Sequence, residues 1–193
     1  MGKPVIAIDV DDVLSSQIEV FIEFSNIYFG TSLTLDDFQE PGEYWSYYSQ
    51  IWKISKEEGD RRYRQFIEAG YPVRQAITDE VKDAIERLRQ HYTLEIVTSR
   101  DAETSEPTKE WLLAYFPDVF RGIHFTTLWD ETSKQVSKAR ICQEIGASYL
   151  IDDNAEHCNL AAEIGVKSLL FGEWGWNKYQ DLHPEVLRVD NWK

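Results

Sequence analysis

Near the start of the chain three carboxylates stand within four positions, Asp9, Asp11 and Asp12, directly after the apolar run Val5-Ile6-Ala7-Ile8. Such a run reads as a buried parallel strand. Like charges this close repel, and desolvating each is costly unless a cation or a proton compensates. Ligands of open α/β sheets bind at the carboxyl ends of the strands, where a divalent metal with oxygen ligands is the natural compensator. Taken alone, the stretch also fits an acidic turn. A second acidic strand end, Tyr149-Leu150-Ile151-Asp152-Asp153-Asn154, comes late in the chain. Alone, it fits a capping turn before the next helix. Two such ends converging on one point need a cation between them, and a set without His or Cys points to Mg2+ rather than zinc. His91, His124, His157 and His183 are scattered without metal-ligand spacing. Between the acidic ends lies Ile96-Val97-Thr98-Ser99-Arg100. A Thr98 hydroxyl at a strand end orients a phosphate oxygen, or merely closes the strand. Arg100 has the geometry for a bidentate contact with a phosphate or a base, and a surface salt bridge fits it equally.

The elements that must hold these groups follow from periodicity. Residues 17–29 read as a helix capped by Ser15 or Ser16 and ended near Gly30. Residues 31–54 are irregular and aromatic, and 55–69 read as a charged amphipathic helix ending at Gly70. From Thr78 the pattern changes. Val81, Ala84, Ile85 and Leu88 form a core-facing helical stripe. Strands are expected at 93–98, 122–126, 148–152 and 167–171, with helices at 106–116, 137–145 and 155–164. This alternation implies right-handed βαβ units and a mostly parallel sheet, an α/β fold with an all-helical module inserted after the first strand.

Strand-Asp9-Val10-Asp11-Asp12-Val13-Leu14 resembles the first motif of the haloacid dehalogenase (HAD) superfamily of phosphatases. Thr98 is similar to its second motif, and Asp152-Asp153 to its fourth in the paired-acid form. The third is a lysine ahead of the last acidic strand, for which Lys138 is favoured over Lys134. The resemblance implies a three-layer Rossmann-like core over residues 1–14 and 76–193 with a helical cap over 15–75. It implies Asp9 as nucleophile, Asp11 as general acid/base, and Thr98 and Lys138 as stabilisers of phosphate charge. Mg2+ would be held by Asp9, the Asp11 backbone carbonyl and Asp153, with Asp152 behind. The commonest form of the first motif has glycine where this chain has Asp12. The small cap, the Asp-Asp version of the first motif and Leu150-Ile151-Asp152-Asp153-Asn154 together look like the 5′(3′)-deoxyribonucleotidase-like branch. Ser99, Arg100, Trp45 and Tyr47 are then candidate substrate-binding residues, the rings stacking a base. Cap aromatics also serve simply to hold a cap together.

The chain has 193 residues and a net charge of −14, against binding nucleic-acid polymers. It has no apolar run near membrane-spanning length and no signal-peptide pattern. With Cys142 and Cys158 expected as buried free thiols, a cytoplasmic enzyme is the expectation. Its partner would be a small phosphorylated substrate, with a homodimer left open. Two alternatives stand beside a nucleotidase: a phosphatase of another small phosphometabolite such as a sugar phosphate, and a non-catalytic phospholigand- or protein-binding module.

Overall fold

The structure, a computed structural model, describes residues 2–127 and 136–193. By its internal contacts the chain divides into two units. One comprises residues 1–15, 77–172 and 181–193, the other 16–76 and 173–180.

The first unit is a three-layer α/β core. Its strands are β1 (Val5–Ile8), β2 (Thr93–Thr98), β3 (Phe120–Phe125), β4 (Ala147–Asp152), β5 (Lys167–Phe171) and β6 (Val186–Val189). All pair in parallel, in the order β3-β2-β1-β4-β5-β6. β1 is central and buried at every residue, as its uninterrupted apolar run requires. The chain builds outward through β2 and β3, then crosses to β4 on the other side of β1. The strand order therefore reverses at β1/β4, where sheets of this kind open a crevice at their carboxyl ends. Four core helices connect the strands: α4 (Asp79–His91), α5 (Ser105–Tyr115), α6 (Lys138–Ile145) and α7 (Ala155–Glu163). Ala7, Val97 and Leu150 pack with Ala139, Ile141 and Cys142 of α6 and Ala161 of α7. Both cysteines are buried and free.

The sequence periodicity locates these elements to within a residue or two. β6 was not expected from it. Val186-Leu187-Arg188-Val189 is short and carries a charge, which suits an edge strand and hides it from a search for apolar runs. Glu95 was also unexpected. It lies buried in β2, with Arg121 and His124 of β3 bound to its carboxylate.

The second unit, which takes in the segment expected as a cap and is called the cap below, is built on α1 (Gln17–Phe29), α2 (Tyr47–Trp52) and α3 (Lys56–Glu68). Ser16 caps α1 through the Glu19 amide, and Gly30 ends it at a φ of 63°. The cap core is aromatic. Phe21 stacks on Tyr48 at 3.9 Å between centroids and packs against Trp52 at 4.7 Å, and Phe24 meets Phe66 at 5.5 Å. Ser25 accepts the Trp52 indole N–H at 3.0 Å. α2 falls inside the stretch expected to be irregular.

Residues 173–180, expected with the core, belong to the cap. The Gly175 amide donates to the Phe38 carbonyl at 2.8 Å, and the Gly42 amide donates to the Gly175 carbonyl at 3.3 Å. A Cβ at Gly175 would lie 2.0 Å from the Glu40 carbonyl oxygen, so only glycine permits this approach. Trp176 is thereby buried against Tyr47 at 5.1 Å. Trp176→Ala should therefore destabilise the protein by about 3–5 kcal/mol, as for a large core aromatic. A urea titration followed by circular dichroism tests this; a change within about 0.5 kcal/mol is what a surface residue would give.

Candidate functional site

The carboxyl ends of β1, β2 and β4 carry the residues singled out in the sequence. Asp9 follows β1 and its amide donates to the Ile151 carbonyl at 3.0 Å, which extends the β1/β4 pairing up to the carboxylate. Asp152 ends β4, and Asp153 follows it. All three side chains are buried, and one carboxylate oxygen from each lies within 4.8 Å of the others.

Lys138 is the counter-charge. It opens α6, whose N-cap Ser137 accepts the Arg140 amide at 3.2 Å, and only 1% of its surface is exposed. Its Nζ lies 2.8 Å from Asp9 Oδ1 and 2.7 Å from Asp152 Oδ2. The other oxygen of Asp152 accepts the Asn154 amide at 2.9 Å and lies 3.3 Å from His157 Nδ1. Lys134 lies outside the described residues.

One lysine cannot balance three buried carboxylates. Burial, together with the charges of Asp152 and Asp11, pushes Asp9 up to about 6 despite Lys138. Burial and the carboxylates of Asp152, Asp9 and Asp12 push Asp153 well above the usual range. Asp152 moves the other way. Burial opposes its ionisation, but Lys138 and His157 hold it low. Lys138 is likewise held charged against burial by Asp152 and Asp9. The two charges left uncompensated match a divalent cation, and the donors are hard oxygens, so the set fits such an ion.

Hydroxyls and an amide stand at the ends of β2, β3 and β4. Thr98 ends β2, fully buried, and its Oγ1 accepts the Arg100 amide at 3.3 Å. Ser99 Oγ, Thr126 Oγ1 and Asn154 Nδ2 are buried donors without a protein partner, at the ends of β2, β3 and β4 respectively. Asn154 also caps α7 through its Oδ1. Its capping role is readable in the sequence, whereas Thr126 carries no sequence signal.

Asp11 and Arg100 meet each other. The Arg100 fork grips the Asp11 carboxylate, with Nη2 at 2.6 Å from Oδ1 and Nε at 3.0 Å from Oδ2. Asp11 is thus not one of the converging carboxylates. Its neighbour Asp12 has a φ of 56°, in a turn whose Leu14 amide donates to the Val10 carbonyl. That left-handed position is why glycine is the common residue in the motif this stretch resembles; aspartate is among the few others that tolerate it. In the cap, Tyr47 is 2% exposed, with its hydroxyl donating to the Glu40 carbonyl at 2.7 Å, and it packs in the cap core. Trp45 is 56% exposed and meets Tyr44 edge-on.

No protein-family model matches the sequence, and no curated protein matches it. Solved structures do. A haloacid dehalogenase-like family hydrolase from Streptococcus pneumoniae aligns at a TM-score of 0.63 and 16% identity, over 96% of this chain and 93% of that one. A HAD-hydrolase from Bacillus subtilis, described bound to magnesium, aligns at 0.59 and 14%, over 100% and 96%. Protein tyrosine kinase A of Mycobacterium tuberculosis aligns at 0.65 and 16%, over 99% and 95%. The fold is that of the HAD-like hydrolases.

Removing the counter-charge should be costly. Lys138→Met leaves Asp9 and Asp152 buried and facing each other, and should lower stability by about 3–5 kcal/mol in a urea titration. A neutral effect would mean that the carboxylates are solvated in the folded protein.

Proposed function

We propose that this protein is a Mg2+-dependent phosphomonoesterase that works through an aspartyl-phosphate on Asp9. One observation carries the reading: Lys138 bridges Asp9 and Asp152 while three buried carboxylates converge where the strand order reverses. A protein that only bound phosphorylated ligands would gain nothing from a buried, unbalanced nucleophile. The same fold in a protein named a tyrosine kinase shows that fold alone does not decide the reaction.

Asp9, the Asp11 backbone carbonyl and Asp153 would hold Mg2+, which when bound supplies charge for the transferring oxygens and orients them. Asp9 attacks phosphorus, and the bond to the leaving oxygen breaks. Lys138 and Thr98 stabilise the charge on the transferring group. Asp11 gives its proton to the departing alkoxide. It then takes a proton from the water that attacks phosphorus, which breaks the bond to Asp9 and releases phosphate. Lys138 meanwhile keeps Asp9 ionised and aimed.

Support for nucleoside monophosphates as substrates is narrower. It rests on the motif resemblance to the nucleotidase-like branch and on Trp45, whose exposed ring is the one assigned to the base. Tyr47, the other ring singled out in the sequence, is packed in the cap core and has no exposed face for a base. The two buried free thiols and the absence, among the described residues, of a helix long and apolar enough to cross a membrane support a cytoplasmic setting.

Hydrolysis of an aryl phosphate should require a divalent cation, cease with EDTA and cease in Asp9→Asn. Asp153→Asn should instead raise the Mg2+ concentration needed for half-maximal rate, and robust turnover by Asp9→Asn would end the covalent reading. For the leaving group, Trp45→Ala should cost nucleoside monophosphates roughly 5- to 150-fold in kcat/KM, the worth of one stacked base, and spare a small aryl phosphate. Equal losses on all substrates, or a sugar phosphate as the best of a panel, would move the assignment to another phosphometabolite.

A further inference from the structure

The sequence offers Arg100 as a ligand of substrate or as half of an ion pair, and in the structure its fork faces Asp11. Nε lies 3.2 and 3.0 Å from the two oxygens of Asp11, and Nη2 lies 2.6 Å from Oδ1. Nη1 donates to Thr108 Oγ1 at 3.0 Å. The guanidinium carbon sits 5.4 Å from the centre of the Trp111 ring. Arg100 is buried, and Asp11 is nearly so. Thr108 and Trp111 both belong to α5, so the arginine is anchored on a rigid element at its far side and grips the carboxylate at its near side.

We infer that Arg100 is a positioning residue: it fixes where the Asp11 carboxylate stands, and does not itself bind the phosphate. Asp11 lies outside the strand, in the tight turn after β1 whose Leu14 amide donates to the Val10 carbonyl. A planar fork sets both the distance and the plane of a carboxylate, which the point charge of a lysine cannot do. A phosphate ligand would need its paired donor edge turned toward the transferring group, whereas the Nε/Nη2 edge of this guanidinium is turned onto Asp11 and Nη1 reaches Thr108. The inference rests on the phosphomonoesterase reading, in which Asp11 moves both protons.

The two steps separate the roles. With p-nitrophenyl phosphate, Asp9 attacks phosphorus and the bond to the phenolate oxygen breaks; nitrophenolate departs as the anion and needs no proton. In the second step water attacks phosphorus, its proton goes to Asp11, the bond to Asp9 breaks and phosphate leaves. A misplaced Asp11 therefore slows the second step and spares the first. With an alkyl phosphate the departing alkoxide needs the proton as well, so both steps suffer.

Stopped-flow mixing of Mg2+-loaded enzyme with p-nitrophenyl phosphate reads both steps. For Arg100→Gln we expect a burst of one nitrophenolate per protein at a rate close to the wild type's, then a steady state slowed about 100-fold, the usual worth of a positioned acid/base. Arg100→Lys should resemble Arg100→Gln, and Thr108→Val should show the same split in milder form while leaving the ion pair in place. Arg100→Gln added to Asp11→Asn should slow the steady state no further than Asp11→Asn alone, because both remove one interaction. A slowed burst, a raised KM at unchanged kcat, or additive losses in the double variant would make Arg100 a phosphate ligand and overturn the inference. An unchanged steady state in a folded Arg100→Gln would overturn it too. If Arg100→Gln does not fold, Thr108→Val decides by the same split. A wild type inert toward every phosphomonoester tried would remove the reading beneath the inference, an outcome distinct from an active wild type whose arginine variants lose the burst.

Discussion

Everything at the head of this sheet depends on one buried ammonium group. Lys138 stands between Asp9 and Asp152 within hydrogen-bonding distance of both, and its own charge survives burial only because they flank it. The help is mutual, since Lys138 opposes the upward push of burial on both carboxylates. Three elements must then be placed together: the end of β1, the end of β4 and the first turn of α6. The Asp9 amide bond to the Ile151 carbonyl and the Ser137 cap are the local devices that do so. Compensation stops short of neutrality, and the remaining deficit is of the size that a divalent cation would meet.

The cap obeys different physics. It is held by stacked and edge-on rings, with single polar tips satisfied locally, as Trp52 is by Ser25 and Tyr47 by Glu40. A core of this kind keeps its shape through packing alone. It leaves few rings for outside use, and Trp45 is among the exceptions.

The parts of this molecule legible in its sequence were those whose cost could not be explained otherwise. Paired aspartates ending apolar strands announce themselves because burying them is expensive, and the helical stripe of α4 because its spacing admits few other structures. The partnership of Asp11 with Arg100 was not legible. It depends on β1 and β2 lying side by side and on α5 holding the arginine from behind, and neither fact is local. Tyr47 and Trp45 show the limit from the other side: two aromatics two positions apart, of similar chemistry, one buried and one exposed according to how a short helix begins. The attachment of residues 173–180 to the cap was hidden in one glycine, whose close approach to Glu40 has no signature beyond the missing side chain.

That attachment bears on the order in which the protein is made. The cap begins at Ser16 and has all of its helices by Ala76, yet Trp176 and the backbone bonded to Phe38 and Gly42 come only after β5. A cap emerging early from the ribosome would leave an aromatic face without its last ring while the rest of the core is still being synthesised. Non-local closure of this sort is slow, and an exposed face invites misassembly in the interval. The unit whose helices are all made first is therefore among the last to finish. A translation stop shortly before Trp176 would release a chain with Asp9, Asp152 and Asp153 all present and its cap unsealed.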